Sequence, residues 1–177
     1  LNTTDAEDTT PAPWDSWAIA AAAGGGHVDI LEYIWSSGVG GEGTAAATDA
    51  HGERRKLVPD TQACAFAAAC GQLAVIHWLR ARGCPWDEQT CSEAAQGGHL
   101  ETLRWCREHG CPWDRETAAA AAGAGRLEVL QWCVQEGCAW DTEVVERARE
   151  GNFDEIAEWA LANGVASPPA SPASPIS

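Results

Sequence analysis

The hydrophobic and polar positions of the chain alternate in short blocks that predict pairs of helices. Leu100, Leu103 and Cys106 are spaced three residues apart, with Trp105 beside them, and this spacing is typical of the buried stripe of an amphipathic helix. The preceding block, residues 88–96, contains alanine and polar residues but no proline or glycine, as expected for another helix. Each helix would have about nine residues, too few to persist alone in water. We therefore expect the helices to be stabilised by stacking.

A recurrent phrase marks the boundaries of these helices. Gly-Cys-Pro-Trp-Asp begins at residues 83 and 110, and Gly-Cys-Ala-Trp-Asp at residue 137, so the period is 27 residues. Aspartate is a strong helix N-cap because its carboxylate accepts an unpaired backbone N–H group, and glycine stops helices because it adopts left-handed conformations readily. The predicted structural residues are the cap aspartates Asp15, Asp60, Asp87, Asp114 and Asp141 and the helix-stop glycines Gly98 and Gly125. The residues that follow the stop glycines, which we expect to bond to adjacent loops, are His27, Gln72, His99 and Arg126.

Repetition at a fixed period of this size is typical of an array in which each unit buries its apolar face against its neighbours. The predicted repeats span residues 14–38, 59–83, 86–110, 113–137 and 140–164. Residues 39–57 are an insertion, which we expect to form a loop. The acidic segment 1–13 and the Pro/Ser/Ala-rich tail 165–177 are predicted to be disordered. In the fifth repeat Gly151 comes one residue early, an irregularity typical of a terminal unit.

One ten-residue stretch resembles the core of the ankyrin repeat, Ala-Ala-x-x-Gly-His-x-Glu-Val-Val. It is Ala-Ala-Gln-Gly-Gly-His-Leu-Glu-Thr-Leu at residues 94–103, and related stretches occur at 22–31 and 121–130. The resemblance implies an all-α solenoid of about five stacked helix-turn-helix repeats that binds other proteins and has no catalytic activity. Ankyrin repeats have a period of about 33 residues. The shorter period here implies that their β-hairpin fingers are reduced to the Cys-Pro-Trp-Asp turn.

Charge and composition exclude some partners. A net charge of −15 argues against nucleic acid, whose phosphates require Lys and Arg, and leaves room for a basic protein or peptide. No apolar run approaches the roughly 18 residues of a membrane span. The chain begins with Leu1 and contains no methionine, so we expect it to be a fragment or processed segment of a longer polypeptide. We expect a monomeric, intracellular, cytoplasmic protein without a cofactor.

The eight cysteines are predicted to be free structural residues. Cys84, Cys111 and Cys138 occupy equivalent turns in successive repeats, and stacked helices lie about 8–10 Å apart, whereas a disulfide requires Cα atoms within about 7 Å. No Cys-x-x-Cys motif occurs, so no zinc site is predicted. Free cysteines favour a reducing compartment. The alternative is a metal or redox protein that uses these thiols.

Seven of the ten tryptophans follow the 27-residue period. Those in the second helices are Trp78, Trp105, Trp132 and Trp159, and those in the turns are Trp86, Trp113 and Trp140. We expect two aromatic ladders in which each tryptophan lies above its equivalent, with the indole N–H groups bonded to carbonyls at helix ends. The alternative is that the turn tryptophans form an exposed groove for a peptide.

Partner recognition is predicted at the exposed side of the first helices, where residues change from repeat to repeat. The candidate partner-binding residues are Gln62, Phe66, Gln89, Glu93, Glu116, Ala120, Glu143 and Arg147. In an array with a repeated framework, positions that do not repeat can be selected by a ligand, although drift without function produces the same pattern. The sequence therefore predicts a non-catalytic protein-interaction module. The alternative is a structural spacer array within a larger multidomain protein.

Overall fold

The computed structural model of the chain describes residues 16–37 and 60–164. Within these ranges all regular secondary structure is helical, with no strand, which confirms the predicted all-α class. The ten helices are α1 (Ser16–Gly24), α2 (Val28–Ser37), α3 (Thr61–Ala69), α4 (Leu73–Ala81), α5 (Glu88–Gly97), α6 (Leu100–Glu108), α7 (Arg115–Gly123), α8 (Leu127–Gln135), α9 (Glu143–Glu150) and α10 (Asp154–Ala162). The predicted disordered segments 1–13 and 165–177, the predicted loop 39–57 and Asp15 lie outside the described residues.

The cap aspartates act at the start of most first helices. Asp60 Oδ1 accepts a hydrogen bond from the backbone N–H of Gln62 at 3.1 Å. Asp114 and Asp141 accept equivalent bonds two residues ahead, at 3.0 and 2.9 Å. Asp87 differs: it occupies the N-cap position of α5 without a capping bond. Its Oδ1 is buried and has no hydrogen-bond partner among the described residues.

The first helix of each pair packs on the first helix of the next pair, so that α1, α3, α5, α7 and α9 follow one another in chain order. Alanine makes this close approach possible, and α7 contains five consecutive buried alanines, from Ala118 to Ala122. Among the described residues, the second helices of neighbouring pairs bring few backbone atoms close together. The backbones are therefore closest on the first-helix side.

Between the two helices of a pair, large aliphatic side chains form the core. Ile76, Leu103 and Leu130 stand 27 residues apart in sequence and are each 0% exposed. Burying a side chain of this size contributes about 1.5–3 kcal/mol. The same position in each unit therefore supplies a comparable part of the stability of the stack.

The turn cysteines connect each turn to the turn before it. The Cys84 thiol donates to the carbonyl of Asp60 at 3.3 Å, 24 residues earlier. Cys111 and Cys138 repeat the contact with Asp87 and Asp114 at 3.4 and 3.2 Å. Since the accepting carbonyl belongs to the preceding cap residue, the thiol position is fixed by the repeat period.

The loops between the helices of each pair pass through one left-handed residue. Gly98 has φ +82°, and the His99 backbone N–H that follows bonds to the Ala94 carbonyl at 2.9 Å. In the fifth unit this position is Asn152, with φ +60°, 27 residues after Gly125. The expectation that Gly151 breaks the period is therefore wrong, because asparagine, which tolerates this conformation, replaces the glycine.

The residue after this left-handed position contacts the preceding unit. His99 Nε2 lies 3.0 Å from the Ala69 carbonyl oxygen, and Arg126 Nε donates to the Gln96 carbonyl at 3.2 Å. Both contacts satisfy a carbonyl at the end of a first helix. His99 and Arg126 thus bond to the neighbouring unit, although the acceptors belong to the last turns of α3 and α5 and not to the predicted loops.

Candidate functional site

The exposed side of the first helices, which we call the first-helix surface, comprises the eight candidate partner-binding residues. Four of them, Gln62 and Phe66 on α3 and Gln89 and Glu93 on α5, line one pocket of about 130 Å³. Phe66 is 47% exposed, and the buried Ala65 and the half-buried Ala69 complete the lining of the pocket. Such a pocket combines an apolar wall with amide and carboxylate groups. It can take one apolar side chain and hydrogen-bond to its backbone.

The other four candidates lie on α7 and α9, where three of them form an ion-pair network. The Arg147 guanidinium lies 2.8 Å from a Glu116 carboxylate oxygen and 2.9 Å from a Glu143 carboxylate oxygen. Although partial burial opposes it, hydrogen bonding to Glu143 and the charge of Glu116 raise the pKa of Arg147 above its ordinary value. Arg147 is therefore held by the protein's own carboxylates.

Ala120 does not lie on the exposed side as expected. It is only 8% exposed on a helix that packs against α5, α8 and α9. Ala120 and Arg147 still line a shallow cleft of about 350 Å³ between α7 and α9. Exposure at this position depends on the neighbouring helix.

Trp17 extends the first-helix surface at its amino-terminal end and is not among the predicted partner-binding residues. Its side chain is 71% exposed. It lies 45 residues before Gln62, as Gly26 lies 45 residues before Gly71, so it is the equivalent of Gln62 in the first pair. Applying the register of the first repeat would have identified it.

Three turn tryptophans pair with the second-helix tryptophan of the same unit, and Trp35 of α2 meets Trp78 of α4 in the next unit at 5.9 Å. Each turn indole meets the second-helix indole of the same unit, with ring centroids 5.7–6.0 Å apart. The pairs are Trp86 with Trp105, Trp113 with Trp132, and Trp140 with Trp159. The prediction of two ladders is wrong for these six residues. The indoles that contact each other come from the turn and the second helix of one unit, and not from equivalent positions in successive units. Trp78 Nε1 is buried without an acceptor among the described residues, contrary to the expected carbonyl partner.

Arginines cover two of the turn tryptophans. The Arg80 guanidinium carbon lies 4.0 Å from the Trp86 ring centroid, and Arg107 lies 4.2 Å from Trp113. Each arginine also donates to a turn carbonyl, that of Cys84 or Cys111. These contacts fix the turn and occupy an indole face, which argues against an open aromatic groove along the turns.

The thiols occupy protected positions. Cys64 Sγ and Cys84 Sγ lie 3.6 Å apart in the core, and among the eight free cysteines Cys70 alone is exposed. The hydrogen bond with Cys64, together with burial, raises the pKa of Cys84 far above its ordinary value. Equivalent bonds and burial raise the pKa of Cys106 and of Cys133. Since the thiolate is the reactive form, these buried thiols are poor nucleophiles.

Neither a metal-ligating cluster nor a membrane-spanning helix occurs in residues 16–37 and 60–164. These ranges contain no group of three or more His, Cys, Asp or Glu side chains arranged to hold a metal ion. They also contain no helix with the length and apolar character that crossing a bilayer requires. Comparisons with protein-family models and with curated proteins find no match to the chain.

Proposed function

We propose that the chain is an ankyrin-like solenoid and a non-catalytic interaction module that binds a protein or peptide through the first-helix surface. The observation that carries the proposal is the pocket formed by Gln62, Phe66, Gln89 and Glu93. These four residues are predicted partner-binding residues because their positions vary between repeats, and they line the same pocket. The stacking of α1, α3, α5, α7 and α9 in chain order supports the solenoid architecture.

The composition of the surface indicates what it binds. Exposed aromatic side chains, Trp17 and Phe66, lie on α1 and α3, whereas Glu93, Glu116 and Glu143 follow on the later first helices. Arg147 already pairs with two of these carboxylates, which leaves Glu93 beside the apolar pocket. A segment with one apolar side chain followed by a basic one complements this order. The chain's net charge of −15 favours the same partner.

We infer an intracellular setting from the cysteines. All eight are free, and Cys64 and Cys84 share a hydrogen bond between thiols at 3.6 Å instead of a disulfide. A reducing compartment keeps such a pair as thiols.

Competitive selection of peptides tests the proposal. A random peptide library displayed on phage is panned against the wild-type chain, and the enriched peptides are measured against Phe66→Ala/Glu93→Ala. We expect apolar-basic peptides whose affinity falls at least about tenfold in the double variant, the loss expected for a central anchor residue. Circular dichroism checks that helical content is unchanged.

The matched control is Glu101→Ala/Glu128→Ala, two exposed carboxylates on second helices. It should bind the selected peptides as the wild type does. Equal loss in both double variants would show nonspecific charge attraction, and undiminished binding by Phe66→Ala/Glu93→Ala would refute the assignment of the surface.

A further inference from the structure

In three units, the residue that follows the second helix contacts the carbonyl of the tryptophan four residues before it through its side chain. Arg82 Nη1 donates to the Trp78 carbonyl at 3.3 Å, and His109 Nδ1 lies 2.8 Å from the Trp105 carbonyl oxygen. Asn163 Nδ2 donates to the Trp159 carbonyl at 2.7 Å. Three of the units with a tryptophan at this position thus place a side-chain donor on that carbonyl.

Two of these capping residues also cover the indole ring. The Arg82 guanidinium carbon lies 3.8 Å from the Trp78 ring centroid, and the His109 ring lies 4.0 Å from Trp105 and nearly parallel to it, at 23°. Arg82 in addition pairs with the Glu32 carboxylate at 3.7 Å. At Trp78 a guanidinium therefore meets an aromatic face, a carbonyl oxygen and a carboxylate together.

The unit of Trp132 breaks this pattern. Its capping residue is Glu136, whose backbone N–H reaches the Trp132 carbonyl but whose carboxylate cannot donate a hydrogen bond. A carboxylate is also repelled by the negative face of an indole ring. The side-chain donor and the ring cover that the capping residue supplies at Trp78 and Trp105 are therefore both absent at Trp132, whose ring instead has the guanidinium carbon of the exposed Arg104 5.7 Å from its centroid.

A cleft lies at Trp132, the tryptophan whose capping residue supplies no side-chain donor. Trp132 lines a cleft of about 580 Å³, together with Glu108, Glu136 and Gln135 and the arginines Arg104 and Arg107. Trp113 meets Trp132 at its edge, 5.7 Å between centroids, and the Arg104 guanidinium carbon is 5.7 Å from the Trp132 centroid. At Trp105, by comparison, the His77 and His109 rings both approach within 4.1 Å.

We propose that the Trp132 cleft binds the guanidinium group of an arginine in a partner protein. This group would take the position that Arg82 occupies at Trp78, with the Trp132 ring as its stacking face, the Trp132 carbonyl as an acceptor, and Glu136 and Glu108 as counter-charges. A guanidinium suits this set because it is planar and donates in several directions, whereas an ammonium group is compact and strongly hydrated.

The two arginines of the cleft do not prevent this binding. Arg107 is engaged with the Trp113 ring and the Cys111 carbonyl. Arg104 is exposed, so its flexible side chain can move aside. The two carboxylates balance these two charges within the cleft, and the net charge of −15 over the chain favours a cation. The cleft shares no residue with the first-helix surface, so the two proposals stand or fall separately.

The test titrates acetyl-Gly-Arg-Gly-amide into the ¹⁵N-labelled chain and follows the indole N–H signals by NMR. Trp132→Phe identifies the Trp132 signal. We expect a saturable shift of that signal in the wild type, and binding weaker by about tenfold for the citrulline peptide, which keeps the shape but lacks the charge. The lysine peptide should also bind more weakly.

Glu136→Arg gives the sharpest comparison, because it restores the capping residue found after α4. The new arginine should occupy the cleft itself and abolish the response to the peptide. Glu128→Arg makes the same charge change on the first turn of α8 and should leave the response intact. An unchanged response in Glu136→Arg, an equal response to citrulline, or no saturable shift in the wild type would each overturn the proposal.

Discussion

Two glycines of the second unit offer a direct test of whether the loops of neighbouring units hold each other in place. Gly71 and Gly83 both have positive φ, +67° and +77°. A Cβ atom added at Gly71 would lie 2.6 Å from His99 Nδ1 of the next unit, whereas a Cβ at Gly83 would meet nothing within 4 Å. The two alanine variants therefore share the backbone cost and differ in the contact between units.

The expected magnitudes follow from these two contributions. A left-handed alanine costs about 1–2 kcal/mol at either position. At Gly71 the His99 ring must also move away from its hydrogen bond to the Ala69 carbonyl at 3.0 Å, a loss of about 1 kcal/mol. Crowding adds about 1–3 kcal/mol. We expect Gly71→Ala to lower the free energy of unfolding by at least about 2 kcal/mol more than Gly83→Ala does.

The assay is urea unfolding followed by circular dichroism and by tryptophan fluorescence on the same samples. Combining Gly71→Ala with His99→Ala should recover the crowding part, since the colliding ring is then gone, and a double-mutant cycle measures that coupling. Equal losses in Gly71→Ala and Gly83→Ala, or a cycle without coupling, would refute the claim that this loop contact stabilises the stack.

Three further predictions follow from particular residues. Asn152→Gly should leave stability within about 0.5 kcal/mol of the wild type, whereas Asn152→Val should lose about 1–2 kcal/mol in urea unfolding because a β-branched residue disfavours φ +60°. In native protein, a thiol reagent should react quickly at one position, Cys70, and Cys70→Ser should remove this fast phase; several fast thiols would contradict the burial of the others. As pH rises above the ordinary thiol value of 9.0, the unfolded chain releases protons that the folded chain keeps on Cys106 and Cys111, whose pKa values are both raised, so stability present below that pH should fall by up to about 1.4 kcal/mol per pH unit for each thiol. Cys106→Ala should make this decline in urea unfolding shallower, and an unchanged slope would count against the raised pKa of that thiol.

Much of the fold could be predicted from sequence because local signals and the period agree. Asp114 caps its helix and Gly98 ends another, since both act through the backbone within a few residues. The burial of Ile76, Leu103 and Leu130 follows from the 27-residue period, which places them at equivalent positions. Asn152 was not predicted to be left-handed because the helix-stop prediction considered glycine alone, although asparagine also tolerates this conformation.

The features that depend on neighbouring units were harder to predict. Burial of Ala120 depends on the helices that pack against α7, which the sequence of α7 does not contain. The pairing of Trp113 with Trp132 depends on how turn and helix converge in space. The cleft at Trp132 could not be predicted from sequence alone. Glu136 becomes informative only once the structure shows that Arg82 and His109, at the equivalent positions, lie against Trp78 and Trp105.

The unequal spacing of the helices has a consequence for the shape of the molecule. Alanine lets the first helices of successive units approach closely, while the bulkier second helices remain farther apart. If the units form the proposed solenoid, we expect each unit to be rotated slightly in the same sense relative to the last, so that the array curves toward the first helices. Phe66 and Glu93 would then lie on the inner side of the curve. A rounded or helical ligand would touch more of this concave face than a flat one.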